Sequence, residues 1–195
     1  ADAIRHGQKL QKQSMRFETL SATSPIGIFE TDAEGRCLYT NAAWQTITGL
    51  TLGESLGDGW SQAIALEDRE RIIHTWSDIA GQGGKFDGKF RMQRPDGTIR
   101  WVHARSRPLT NEAGLVTGHV GTTEDITERT QTDLAIHESE RRFRQMANTV
   151  PVLIWIADQT KACTWFNDRW LAFTGRTLEQ EYGNGWADGV HPEDY

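Results

Sequence analysis

Residues 25–60 read PIGIFETDAEGRCLYTNAAWQTITGLTLGESLGDGW, and residues 151–186 read PVLIWIADQTKACTWFNDRWLAFTGRTLEQEYGNGW. The second stretch is the first returned at a spacing of 126 residues. Extended outward, Arg16–Asp68 aligns with Arg142–Asp194 without a gap, and 18 of the 53 aligned positions are identical. Pro25 pairs with Pro151, Asp32 with Asp158, Cys37 with Cys163, Asn41 with Asn167 and Trp44 with Trp170. Self-similarity at so long a period means tandem domains rather than a solenoid. The second copy reads as cut short at Tyr195, and an opening Ala-Asp-Ala-Ile without Met reads as an excised fragment.

Composition bounds the function. The 195 residues carry a net charge of −6, which disfavours a dedicated nucleic-acid binder, whose surface is basic. The longest apolar stretch, Pro151–Ala157, is too short to span a bilayer. The opening residues do not read as a signal peptide, and the two Cys are expected at matching strand positions as small buried hydrophobes. A reducing, cytoplasmic location is the default, although the full-length protein could be membrane-anchored elsewhere.

Ile4–Leu20 reads as a helix with a thin apolar stripe at Leu10, Phe17 and Leu20, stopped by Pro25. Ile26–Asp32 and Arg36–Thr40 form a hairpin. Asn41 caps a helix that Gly49 ends, and Thr51-Leu-Gly-Glu54 is a capping box, as is Thr177-Leu-Glu-Gln180. Glu67–Ala80 is the long helix, with Ile72, Ile73, Trp76, Ile79 and Ala80 on one face. Strands follow at Phe86–Arg94, Thr98–Leu109 and Leu115–Thr123. A helix then starts at Asp125-Ile-Thr-Glu128 and runs towards Pro151.

The run Phe29-Glu-Thr-Asp32, Gly35, Tyr39-Thr-Asn41, Gly49 resembles the first half of a PAS domain. Phe90 to Gly97, Trp101, Arg107-Pro108, Gly114 and Gly121…Asp125-Ile-Thr-Glu-Arg129 resemble its C-terminal PAC half. The resemblance implies an α+β fold, a five-stranded antiparallel sheet with helices on one face, flanked by amphipathic linker helices. The expected division is a linker helix at 1–20, a complete PAS/PAC domain at 21–125, a connecting helix at 126–147 and the truncated half of a second PAS domain at 148–195. It also implies a non-catalytic sensory and dimerisation module inside a larger signalling protein, as in two-component systems. The output domain, a histidine kinase or a diguanylate cyclase, would lie in the same chain.

The residues themselves show no nucleotide loop, nucleophile elbow or zinc spacing. For haem, the matching His would be His74, which falls opposite the apolar stripe of its helix. For flavin photochemistry, the matching Cys position holds Trp60, and the amide positions fall on Met92, Val102 and Thr123. No cofactor is therefore expected, and an unidentified small ligand is left open. Its pocket would be lined by Ile73, Trp76, Phe90, Met92, Val102, Ala104 and Thr123. Signal relay falls to Asp125, Ile126 and Thr127. Trp101 and His103 point to the other sheet face, where a terminal helix or partner chain would cover them. A homodimer would form through the linker helices and that outer face, with Ile136, Phe143 and Val150 at seven-residue spacing interrupted by Arg129 and Ser139. A cofactor-binding redox or light sensor and a spacer that binds nothing stand as the alternatives.

Overall fold

The computed structural model of the protein describes residues 15, 16, 19–191 and 193. Leu10 and Phe17, the first two positions of the expected N-terminal stripe, lie outside the described residues; residues 19–23 are helical. The ordered elements begin with strand β1 (Gly27–Asp32) and strand β2 (Cys37–Thr40). Helix α1 (Ala42–Thr48) follows, started by the Asn41 side chain accepting from the Trp44 N–H and ended by Gly49 at φ 76°. Helix α2 (Leu52–Ser55) opens on the full capping box between Thr51 and Glu54. A short 3-10 turn at Gly59–Ala63 leads into helix α3 (Leu66–Gln82). Strands β3 (Phe86–Gln93), β4 (Ile99–Thr110) and β5 (Val116–Asp125) come next. Helix α4 (Thr127–Thr149) leaves the sheet.

The five strands form one antiparallel sheet in the order β2-β1-β5-β4-β3. The first hairpin thus pairs with the last strand, a long-range ladder with Phe29 opposite Gly121. That contact requires glycine. A Cβ on Gly121 would sit 2.3 Å from the Phe29 ring and 2.5 Å from the Arg105 carbonyl. Alternation places Phe86, Phe90, Met92, Val102 and Ala104 in the core, packed against Ile72, Trp76 and Ala80 of α3. Trp76 is the hub. Its ring meets Phe29, Trp60, Phe86 and His119 edge-on at 5.3–6.3 Å, and its N–H donates to the Gly35 carbonyl.

The chain divides into compact units at residues 1–130 and 131–195. The second holds strand β6 (Trp155–Ala157), strand β7 (Cys163–Phe166), helix α5 (Asp168–Thr174) and helix α6 (Leu178–Glu181). Its sheet is the two-stranded β6-β7 hairpin. The repeat is structural as well as sequential: Asn167 caps α5, Gly175 ends it at φ 70°, and Thr177 and Gln180 form the capping box of α6. Within this unit Trp155 and Phe173 are exposed, whereas Cys163, Phe166 and Asn167 are buried.

Candidate functional site: a core cavity and the exit-helix junction

Between α3 and the sheet lies a cavity of about 50 Å³. Its wall is aromatic, with Phe29, Trp44, Trp60, Trp76, Phe86 and Phe90 as the large side chains. Of the pocket residues expected from sequence, Trp76, Phe90, Met92, Ala104 and Thr123 line it. Val102 is fully buried in the core beside it without forming the wall. Ile73 is a correction. It is 38% exposed, because one step of 100° along α3 carries it off the stripe, and Ile72 takes the inward place. Sequence reasoning also missed Thr31, Cys37 and Thr40 from the first hairpin, which belong to the wall. Alternation with Phe29 was the available signal for Thr31 alone; Cys37 and Thr40 are three residues apart and reach the same face only through the register shift between Glu30 and Thr31.

Among the described residues, the wall is short of hydrogen-bond partners at two points: Thr40 Oγ1 and Trp60 Nε1 are buried and have none. Thr31 Oγ1, by contrast, donates to the Asp32 carbonyl, and the Cys37 thiol lies 3.7 Å from the Tyr39 carbonyl. Burial pushes the Cys37 thiol up, so it stays protonated and is a poor nucleophile. His119, wholly buried against Trp76, is pushed below its ordinary range by the same loss of water. His74 stands on the exposed side of α3, with Nδ1 3.1 Å from Asp78.

At the N-terminal end of α3, Asp68 clamps the helix to β3. Its carboxylate accepts from the Arg91 backbone N–H at 2.9 Å and from the Arg91 guanidinium at 3.0 Å, and Arg71 approaches at 3.1 Å. The Arg91 hydrogen bond, above all, holds the Asp68 carboxyl at about 2, below the ordinary 3.8. A carboxyl depressed in the folded state stabilises it above the ordinary pKa, and that contribution is lost as the pH falls from about 4 to about 2. Discounted for solvent screening, the loss is about 1–2 kcal/mol. Urea unfolding at pH 6 and pH 2.5 checks it: the stability gap between the wild type and Asp68→Asn should close at the lower pH. A gap that persists would show that the clamp is not ionic.

Arg91 also sits opposite Trp101 on the neighbouring strand, its guanidinium carbon 5.8 Å from the ring centre. Trp101 and His103 do lie on the outer sheet face, both half-buried, with His103 Nε2 2.7 Å from Asp87. The Trp101 backbone in turn holds the exit helix. Its N–H donates to Thr127 Oγ1 at 2.9 Å, and its carbonyl accepts from the Ile126 N–H at 2.8 Å. Asp125 completes the junction. One carboxylate oxygen accepts from the Thr127 N–H at 2.9 Å and from its hydroxyl at 2.5 Å, while the other lies 3.4 Å from the Arg100 guanidinium. The relay residues expected from sequence, Asp125, Ile126 and Thr127, therefore meet at one point on β4. Trp101 was expected only as an outer-face residue, and Arg100 and Arg91, which support that point with it, were not singled out, because cross-strand register joins them and no local motif does.

Sequence comparison decides the family. A model described as "PAS fold" matches residues 38–123, and one described as "PAS domain" matches residues 141–195. The chain belongs to the PAS family. Protein y4lL of Sinorhizobium fredii is 32% identical over 95% of this chain, which covers 22% of that protein. Sporulation kinase C of Bacillus subtilis is 31% identical over 60% of this chain, which covers 28% of the kinase. The PAS chain thus spans about a quarter of the length of these two curated relatives. Among solved structures, the PAS domain of a protein from Colwellia psychrerythraea superposes with a TM-score of 0.50 at 26% identity, covering 61% of this chain and 98% of that one. The five-stranded sheet with its helices is accordingly the PAS fold. Among the described residues no helix is long and apolar enough to cross a membrane.

Proposed function

We propose that this PAS chain is a non-catalytic sensory module of a larger signal-transduction protein. The core cavity is the input and the Asp125 junction the output. The relatives that carry kinase names support a histidine kinase as the downstream partner in the same chain. The observation that carries the relay is the junction itself, where both oxygens of Asp125 are engaged between β5, Arg100 and the first turn of α4. A shift of β4 or β5 has to move that turn. The homodimer, through α4 and the outer sheet face, belongs to the same proposal. Phe143 of its heptad packs on Trp165 at 5.7 Å, whereas Ile136 and Val150 are exposed.

Asp125→Ala tests the relay. A helix cap contributes typically about 1 kcal/mol, close to the 1.4 kcal/mol that changes a two-state ratio tenfold. The domain should stay folded, amide exchange at residues 126–130 should speed up, and output of the full-length protein should shift by several-fold. Faster exchange with unchanged output would reduce Asp125 to an ordinary cap and end the relay reading.

A further inference from the structure

The two repeats differ at Thr40, a residue of the first unit's cavity wall. Thr40 stands where the second copy has Phe166. Both side chains are almost wholly buried, at 2% exposure each, on the second strand of matching hairpins. Phe29 stays opposite Thr40 in one register, as Trp155 stays opposite Phe166 in the other. A hydroxyl is therefore not needed to build this strand. Yet unit 1 buries one without a partner, and Trp60, another residue of the same wall, also buries an unpartnered N–H. Buried unpaired polar groups work against folding, so two of them around one cavity mark it as a recognition site.

We infer that the cavity takes a small neutral molecule whose oxygen accepts from Trp60 Nε1 and pairs with Thr40 Oγ1. This deepens the sensory reading above and rests on it. Each part of the ligand class has a cause. The indole N–H can only donate, so the ligand must present an acceptor; the Thr hydroxyl can serve as donor or acceptor. Among the described residues no charged side chain lines the cavity, and an ion would enter it at high desolvation cost, so the ligand is neutral. Its body is apolar, because the rest of the wall is aromatic or aliphatic apart from Thr31, Thr123 and Cys37. A water-sized atom needs about 10–15 Å³ of such space, so about 50 Å³ restricts the ligand to about three to five heavy atoms. Short ketones, aldehydes and alcohols meet all of these conditions.

The test titrates acetone and, separately, xenon into the isotopically labelled 195-residue protein and follows the indole N–H resonance of Trp60, assigned by its loss in Trp60→Phe. Acetone should move that resonance saturably. Thr40→Val should weaken acetone about three- to tenfold, the worth of one net hydrogen bond, and leave xenon unchanged. The same variant should melt at a higher temperature without ligand, because it removes an unpaired hydroxyl, and Thr40→Ser should retain acetone binding. Xenon entering while acetone leaves the indole unmoved would overturn the ligand class but keep the cavity as an input. Equal acetone affinity in the wild type and Thr40→Val would overturn the class in the same way. If neither probe enters, the input reading falls with it.

Discussion

Trp44→Ala is expected to destabilise the first unit by about 3–5 kcal/mol. Trp44 is 3% exposed and belongs to the cluster with Leu50 and Ala63, on which Phe29 and Trp60 also pack. It is in addition a cavity wall, so its loss merges a new void with an existing one and the surroundings have little to close on. Its repeat mate behaves differently. Trp170 is only half-buried and spends its indole N–H on Glu181 at 3.1 Å. Glu181, almost wholly buried, is paired at 2.9 Å with Arg176, where the first copy has Ser55 and Leu50. Trp170→Ala should therefore cost less in packing and release a buried carboxylate from one of its partners. Hydrogen exchange read separately over residues 26–125 and 150–190 measures both. A loss within about 0.5 kcal/mol for Trp44→Ala would contradict its place in the core.

The parts of the fold that were legible in the sequence are those written in local chemistry. Asn41, Gly49, Thr51 with Glu54, and their mates 126 residues on, fixed helix starts and stops because a cap needs one side chain at one offset. The apolar period of the long helix located its inner face to within one residue. That margin separates Ile72 from Ile73, since neighbouring residues at the edge of a stripe differ by 100° and hydrophobicity alone does not choose between them. The site was legible where strand alternation governs it, at Phe90, Met92 and Ala104. It was obscure where partners meet through long-range pairing. Thr40 joins Trp60 at the cavity, and Arg91 joins Asp68 and Trp101, only after β1 has paired with β5 and β3 with β4. The unpartnered state of Thr40 Oγ1 has no sequence signal at all. It appears only when every neighbour has been placed.

Asn41→Ala is expected to cost as much as the tryptophan, by a different route. The Asn41 side chain, 2% exposed, makes four hydrogen bonds to backbone. Oδ1 accepts from the Ile28 and Trp44 N–H groups, and Nδ2 donates to the Ser21 and Ile26 carbonyls. The residue thus joins the incoming helical segment, the first strand and the first helix. Asn167 repeats all four bonds, to the N–H groups of Ile154 and Trp170 and the carbonyls of Ala147 and Val152. Truncation strands two donors and the Ser21 carbonyl where water has little access, while the Ile26 carbonyl keeps the Ser24 hydroxyl at 3.0 Å. At about 1 kcal/mol or more apiece, the loss is about 3–5 kcal/mol. Asn41→Asp separates the polar hub from simple packing, because it keeps the shape. The carboxylate still accepts from Ile28 and Trp44 but faces two carbonyl oxygens with no hydrogen to offer. It would be tolerated only while protonated, so the variant should lose stability as the pH rises through the carboxyl's raised pKa. Urea unfolding from pH 4 to pH 8 measures this. A variant as stable as the wild type across that range would show that Nδ2 contributes nothing, and the segment before Pro25 would then need another anchor.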